Sequence, residues 1–175
     1  MKVLLCALLL VGATAALSPL SAQQPGFKEY YNPKLHFRFT YPESWTMDDV
    51  KRGDAYIRIL APQEAGSSFR NAIEVTRQTM PAGKTLEAWS TSETESLKKV
   101  YPTLTLIGGG PTMVQGKEAY MANYAADVKG TKATITRIYS QDKGLLFTST
   151  LVAESGKLET LMPVLQNAIS TLKAQ

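Results

Sequence analysis

Leu35, Phe37, Phe39 and Tyr41 alternate with His36, Arg38 and Thr40, which predicts a half-buried strand with its aromatic face inward. Tyr30-Tyr31-Asn32-Pro33 ahead of it reads as a turn, and Pro42 ends it. Trp45 opens a second strand that runs to about Val50, and Lys51-Arg52-Gly53-Asp54 reads as a hairpin turn. The chain then returns along Ala55 to Ala61. A loop of Pro, Gly and Ser over 62–68 leads into another strand, Ala72 to Arg77. The period then changes. After Pro81-Ala82-Gly83, Leu86, Trp89, Leu97 and Val100 fall on a helical stripe with Thr85 as N-cap. Glu95 and Lys99 sit four apart on the outer face, and Tyr101-Pro102 is the stop.

The second half returns to strand. Thr103 to Ile107 is short and meets Gly108-Gly109-Gly110-Pro111, read as a turn. Lys117 to Ala126, Thr131 to Ser140 and Leu145 to Val152 follow, joined by Lys129-Gly130 and Asp142-Lys143-Gly144 in tight-hairpin chemistry. Leu158, Leu161, Met162, Leu165, Ile169 and Leu172 form a closing amphipathic stripe. Pro163 fits such a helix if Thr160 caps it, because the third helical residue has no intrahelical N–H bond to lose. Strands, a helix, more strands and a helix, with no internal repeat, predict an α+β domain: a central antiparallel sheet sandwiched by helices.

The N-terminus has a different character. Lys2 precedes an apolar run from Val3 to Leu17, Ser18-Pro19 breaks it, and Leu20-Ser21-Ala22 supplies the small residues of a signal-peptidase site. The expectation is a signal peptide over 1–22, a linker over 23–27 and one globular domain over 28–175. Cleavage near Ala22 would give an exported chain, periplasmic or secreted. The apolar run is shorter than the roughly 20 residues a spanning helix needs. Removing it takes the only cysteine, Cys6, so the domain has no disulfide to form and must hold together by burial. The remaining 150 or so residues bury enough surface for one ordinary core.

The formal net charge of +4 and a pI near 9.1 rest on dispersed Lys and Arg, with no run longer than Lys98-Lys99 or Lys51-Arg52. That lacks the basic stripe interleaved with aromatics that marks a nucleic-acid surface.

Phe37-Arg38-Phe39-Thr40-Tyr41-Pro42-Glu43-Ser44-Trp45 resembles the opening strand of the PsbP-like family, in which an aromatic-rich strand ends in Tyr-Pro and Trp follows closely. The midchain helix around Leu86-Glu87-Ala88-Trp89, the segment Gly116-Lys117-Glu118-Ala119-Tyr120 that opens a run of strands, and the end near Ile169-Ser170-Thr171-Leu172 agree with it. The resemblance spans about Lys28 to Leu172. It implies an α-β-α sandwich and a mostly non-enzymatic class of protein that assists or stabilises photosystem II, or serves in bacterial envelopes as the DcrB-like proteins do. The short bacterial-style signal does not fit the photosynthetic role. Only structural positions match, so no functional residue is implied.

Catalytic patterns are incomplete. Gly83-Lys84-Thr85 matches the tail of a phosphate-binding loop, but its first glycine would fall at Gln78; a turn and a cap explain it better. His36 is the only histidine, there is no G-x-S-x-G, and the pairs Ser96/Lys99 and Ser140/Lys143 lack companion motifs. Asp48-Asp49 and Asp54 flank a turn without calcium-loop spacing. The reading is therefore a non-catalytic binding or assembly factor for an envelope protein, without cofactor or metal, with a small-ligand or lipid-binding module as the alternative. Three hairpin tips carry cations beside glycine: Lys51 and Arg52, Lys129, and Lys143. If the sheet gathers them at one end, they form a basic rim suited to an acidic protein or an anionic envelope surface.

Overall fold

A computed structural model of the chain describes residues 26–48 and 56–175. The expected signal segment with its cleavage site near Ala22, and the turn Lys51-Arg52-Gly53-Asp54, lie outside the described residues.

Among the described residues the fold has two antiparallel sheets and two helices. The larger sheet has seven strands: β3 (Thr46–Met47), β4 (Tyr56–Leu60), β5 (Ala72–Thr79), β6 (Thr105–Val114), β7 (Lys117–Val128), β8 (Thr131–Asp142) and β9 (Leu145–Glu154). Their spatial order is β3-β4-β5-β9-β8-β7-β6. A three-stranded sheet pairs β1 (Phe27–Asn32), β2 (Phe37–Pro42) and β10 (Lys173–Ala174), with β2 in the middle. Helix α1 (Leu86–Val100) lies on one face of the large sheet, and α2 (Leu158–Thr171) shares the opposite face with the small sheet. The fold is α+β, with the central antiparallel sheet between helices as expected.

The alternation in β2 places Phe37, Phe39 and Tyr41 in the core, where the Phe37 and Phe147 rings meet edge-on at 5.8 Å. Pro42 ends the strand, and its carbonyl accepts the Trp45 N–H at 3.0 Å, which turns the indole into the same core. Thr85 caps α1 as predicted, its hydroxyl accepting the Ala88 N–H at 3.1 Å.

Several expectations are corrected. Phe27, expected as the end of the linker, and Tyr30 to Asn32, expected in a turn, belong to a strand in full register with β2, from Phe27↔Pro42 to Asn32↔Phe37. His36 is not mid-strand; it sits exposed in the turn between β1 and β2 at φ 49°, and its carbonyl accepts the Gln175 N–H. The strand expected after Trp45 is short over the described residues, only Thr46–Met47. Gly108 to Pro111 is not a turn, because β6 runs straight through it with a register shift between Leu106 and Gly108. Helix α2 begins at Leu158 without a side-chain cap, so Pro163 lies inside it; Thr160 is its third residue, not its cap. Pro163 costs the helix one backbone bond, near enough to the N-terminus for the remaining turns to continue. Glu95 pairs with Lys98 at 3.0 Å, not with Lys99.

Candidate partner-binding site

The face of the large sheet under α1 carries its polar chemistry. Arg58, Glu74, Thr150 and Arg137 stand directly opposite one another across β4, β5, β9 and β8, forming a polar row on that face. Arg58 reaches Glu74 at 3.3 Å and Asp48 at 3.5 Å. Arg137, almost buried, donates to Glu93 of α1 at 3.2 Å and to the Thr150 hydroxyl at 3.3 Å, and stacks over Tyr139 at 5.3 Å. Thr94 of α1 shares a 2.7 Å hydrogen bond with the Tyr124 hydroxyl. Burial pushes the Tyr139 hydroxyl far above its ordinary range, with Arg137 pulling the other way. The sequence-predicted stripe of α1 is therefore only half its underside. Leu86, Trp89 and Leu97 pack on the sheet, but Val100 is exposed, and the one fully buried residue of the helix is Ser90.

Past the C-terminal end of α1, a groove of about 730 Å³ opens between the 62–71 loop and the β7–β8 hairpin. Leu60, Phe69, Val100 and Pro102 give it apolar walls, and Arg58, Arg70 and Lys129 supply its cations. Asp48 and Glu74 neutralise Arg58. Arg70 spends its donors on neutral acceptors, the Ala61 carbonyl at 2.9 and 2.7 Å and the Thr46 hydroxyl at 3.1 Å. Asp127 accepts from the Gly130 N–H at 2.8 Å and lies 3.4 Å from Lys132. Among the described residues the groove therefore holds two cations, Arg70 and Lys129, that its own acids do not offset, beside apolar surface.

Hairpin geometry decides the fate of the expected basic rim. Lys129-Gly130 and Lys143-Gly144 each form a two-residue turn with both φ angles positive, 53° and 84° in the first, 50° and 76° in the second. These turns close opposite ends of the twelve-residue β8, roughly 35–40 Å apart. Lys129 and Lys143 therefore do not share a rim, because successive antiparallel hairpins alternate ends. Lys51 and Arg52 lie outside the described residues. Of the two that are described, Lys129 borders the groove and Lys143 does not. Sequence reasoning missed Arg70, whose role depends on the loop folding back over β3; its only advance signal was a lone arginine beside Phe69 in a polar loop.

The other chemistry-bearing residues take structural positions. The Ser96 hydroxyl donates to the Ser92 carbonyl on the exposed side of α1, and Ser140 is buried in β8. Gly83, at φ 75°, makes the turn ahead of the Thr85 cap. Among the described residues no three His, Cys, Asp or Glu side chains converge, and no helix is long and apolar enough to cross a membrane.

No protein-family model and no curated protein sequence matches the chain. Solved structures do. Cyanobacterial PsbP (CyanoP) from Synechocystis sp. PCC 6803 superposes with a TM-score of 0.63 at 15% identity, over 94% of this chain and all of that one. LpqN of Mycobacterium tuberculosis, described as involved in cell envelope biogenesis, gives 0.59 at 14% identity over 84% of this chain and 90% of its own. The Saccharomyces cerevisiae Ran-binding protein Mog1p gives 0.58 at 10% identity over 85% and 95%. At these identities the likeness is one of architecture, and at that level the chain is PsbP-like.

Proposed function

We propose that this protein is a non-catalytic, exported binding or assembly factor that holds an envelope protein through the groove beside the C-terminal end of α1. The observation that carries the reading is the groove's composition: Arg70 and Lys129, which no acid among the described residues offsets, beside Phe69, Val100 and Pro102. Such a surface suits an acidic segment bearing one or two apolar anchors. Proteins of this architecture include one named for binding Ran and one described as involved in envelope biogenesis, which supports a protein-binding role for the scaffold.

The test is crosslinking of the tagged full chain in its native envelope, with the captured chains identified by mass spectrometry. Lys129→Asn removes the charge while keeping a residue type that tolerates the left-handed turn position, and Val100→Ser removes the exposed anchor. A captured envelope protein that both substitutions release supports the reading; capture indifferent to both overturns it.

A small-ligand reading has one observation of its own. A pocket of about 410 Å³ between α1 and β6–β7 has Ser90, Thr94, Tyr120 and Tyr124 among its lining residues, beside Leu104 and Lys98. Native mass spectra of the chain purified from its own envelope distinguish the two. A retained small molecule, lost on Tyr120→Ala, favours the pocket.

A further inference from the structure

We propose that β6 pairs with β6 of a second copy, antiparallel across a two-fold axis through Gly110, joining the two large sheets into one. Among the described residues β6 is the outermost strand of its sheet, and one backbone edge of its ten residues has no neighbouring strand. It also carries three of the exposed large apolar side chains among the described residues: Leu106 (55% exposed), Ile107 (62%) and Met113 (61%).

Their spacing is self-complementary. Gly110 stands opposite Met121 of β7, Leu106 opposite Tyr124 and Met113 opposite Glu118. Leu106 and Met113 are therefore each three ladder steps from Gly110. The bulge at Ile107 makes this so, since without it Leu106 would be a fourth step away and turned to the other face. Leu106 and Met113 share the α1 face of the sheet. A two-fold at Gly110 sets Leu106 of each copy against Met113 of the other, twice, at the 4.5–5.5 Å spacing of directly opposed antiparallel residues.

Charge does not oppose the approach. Beside the Met113 end of the edge lie Glu87 and Glu118 with Lys84, and beside the Leu106 end lie Lys98 and Glu95 of α1, already paired with each other at 3.0 Å. Glycines at 108 to 110 leave the centre without side chains to obstruct the approach. Pro111 forfeits one donor per copy, which weakens the pairing and disfavours less specific partners. The interaction is isologous and closes on itself. An interface of this limited extent predicts a reversible dimer, with a dissociation constant on the order of micromolar or weaker.

The domain has no cysteine of its own, which permits a direct test. In the full chain carrying Cys6→Ser, Gly110→Cys puts a thiol on the axis. A β-carbon at Gly110 meets nothing within 4 Å in its own chain, so the fold accommodates it. Opposed α-carbons at the spacing above fall within disulfide reach. Mild oxidation is expected to give a covalent dimer at least ten times faster than the exposed control Lys129→Cys. Sedimentation of the chain with Gly110 intact should show concentration-dependent dimer that Leu106→Lys or Met113→Lys abolishes, circular dichroism confirming that each variant is folded. A monomer at all concentrations overturns the proposal, as does a dimer that Lys129→Cys traps as fast as Gly110→Cys.

Discussion

The two faces of the seven-stranded sheet are built on different principles. Against one, α2 presses Leu165, Ala168 and Ile169 into a continuous apolar core with Phe37, Phe39, Trp45, Ile59 and Phe147. Against the other, α1 offers Ser90, Glu93 and Thr94 alongside Leu86, Trp89 and Leu97, and meets Arg137, Thr150 and Tyr124. Apolar contact is non-directional and scales with area, so α2 is held by bulk. Polar contact is directional and nets little per bond, so α1 is held by geometry and only weakly in total. The face that must be stable is thereby separated from the face that borders the grooves, where low local stability is tolerated.

The comparison is broken most directly on the α2 face. Leu165→Ala removes a fully buried side chain and should cost about 2–5 kcal/mol, read by chemical denaturation. On the α1 face, Glu93→Gln leaves Arg137 without its counter-charge and should cost about 1–3 kcal/mol. The pair replacement Glu93→Leu with Arg137→Met should cost less than Glu93→Gln alone; if it costs more, the α1 interlayer depends on its charges and not merely on their mutual satisfaction. Thr85→Ala, which deletes the N-cap, should cost about 1 kcal/mol. It should also speed amide exchange in α1 while leaving α2 unchanged. Equal acceleration in both helices would mean that they unfold as one unit.

Two titrations sharpen the contrast with smaller effects. Asp142 accepts from Lys117 and from the Ala174 N–H, and the Lys117 hydrogen bond holds its carboxyl below the usual range. Its folded-state pKa is depressed, so its contribution is present above the unfolded value near 4 and is lost as pH falls through the lower folded value. Asp142→Asn should flatten stability against pH in that acid window. Tyr139 has the opposite sign. Its raised pKa means that the unfolded chain ionises first, so stability is full below about pH 10 and falls as pH rises beyond it. Tyr139→Phe should remove that alkaline loss.

Strands with strict alternation or tight-turn chemistry were legible in the chain. β2 carried both its aromatic face and its terminating proline, and β7, β8 and β9 carried their Lys-Gly turns. β1 was not legible, because Phe27 to Asn32 mixes charged and aromatic residues without a period and ends in Asn-Pro. The passage of β6 through three glycines and a proline ran against local propensity. There the decision belongs to the ladder with β7, on an edge where proline loses little. The candidate site was legible in a single residue, Lys129. Its other components, Arg70, Phe69 and Val100, are brought together only when the 62–71 loop, α1 and a hairpin meet.

The sequence by itself determined that β7, β8 and β9 pair through tight turns, where α1 starts, and that the domain must stand without a disulfide, since these depend on turn chemistry, cap and composition over a few residues. Only the tertiary structure decided which residues from distant stretches meet. Packing of the 62–71 loop beside the β7–β8 hairpin brings Arg70 and Lys129 to one groove, and a one-residue bulge against β7 brings Leu106 into step with Met113. Both outcomes depend on pairing and packing between strands and loops, which no single stretch of chain carries.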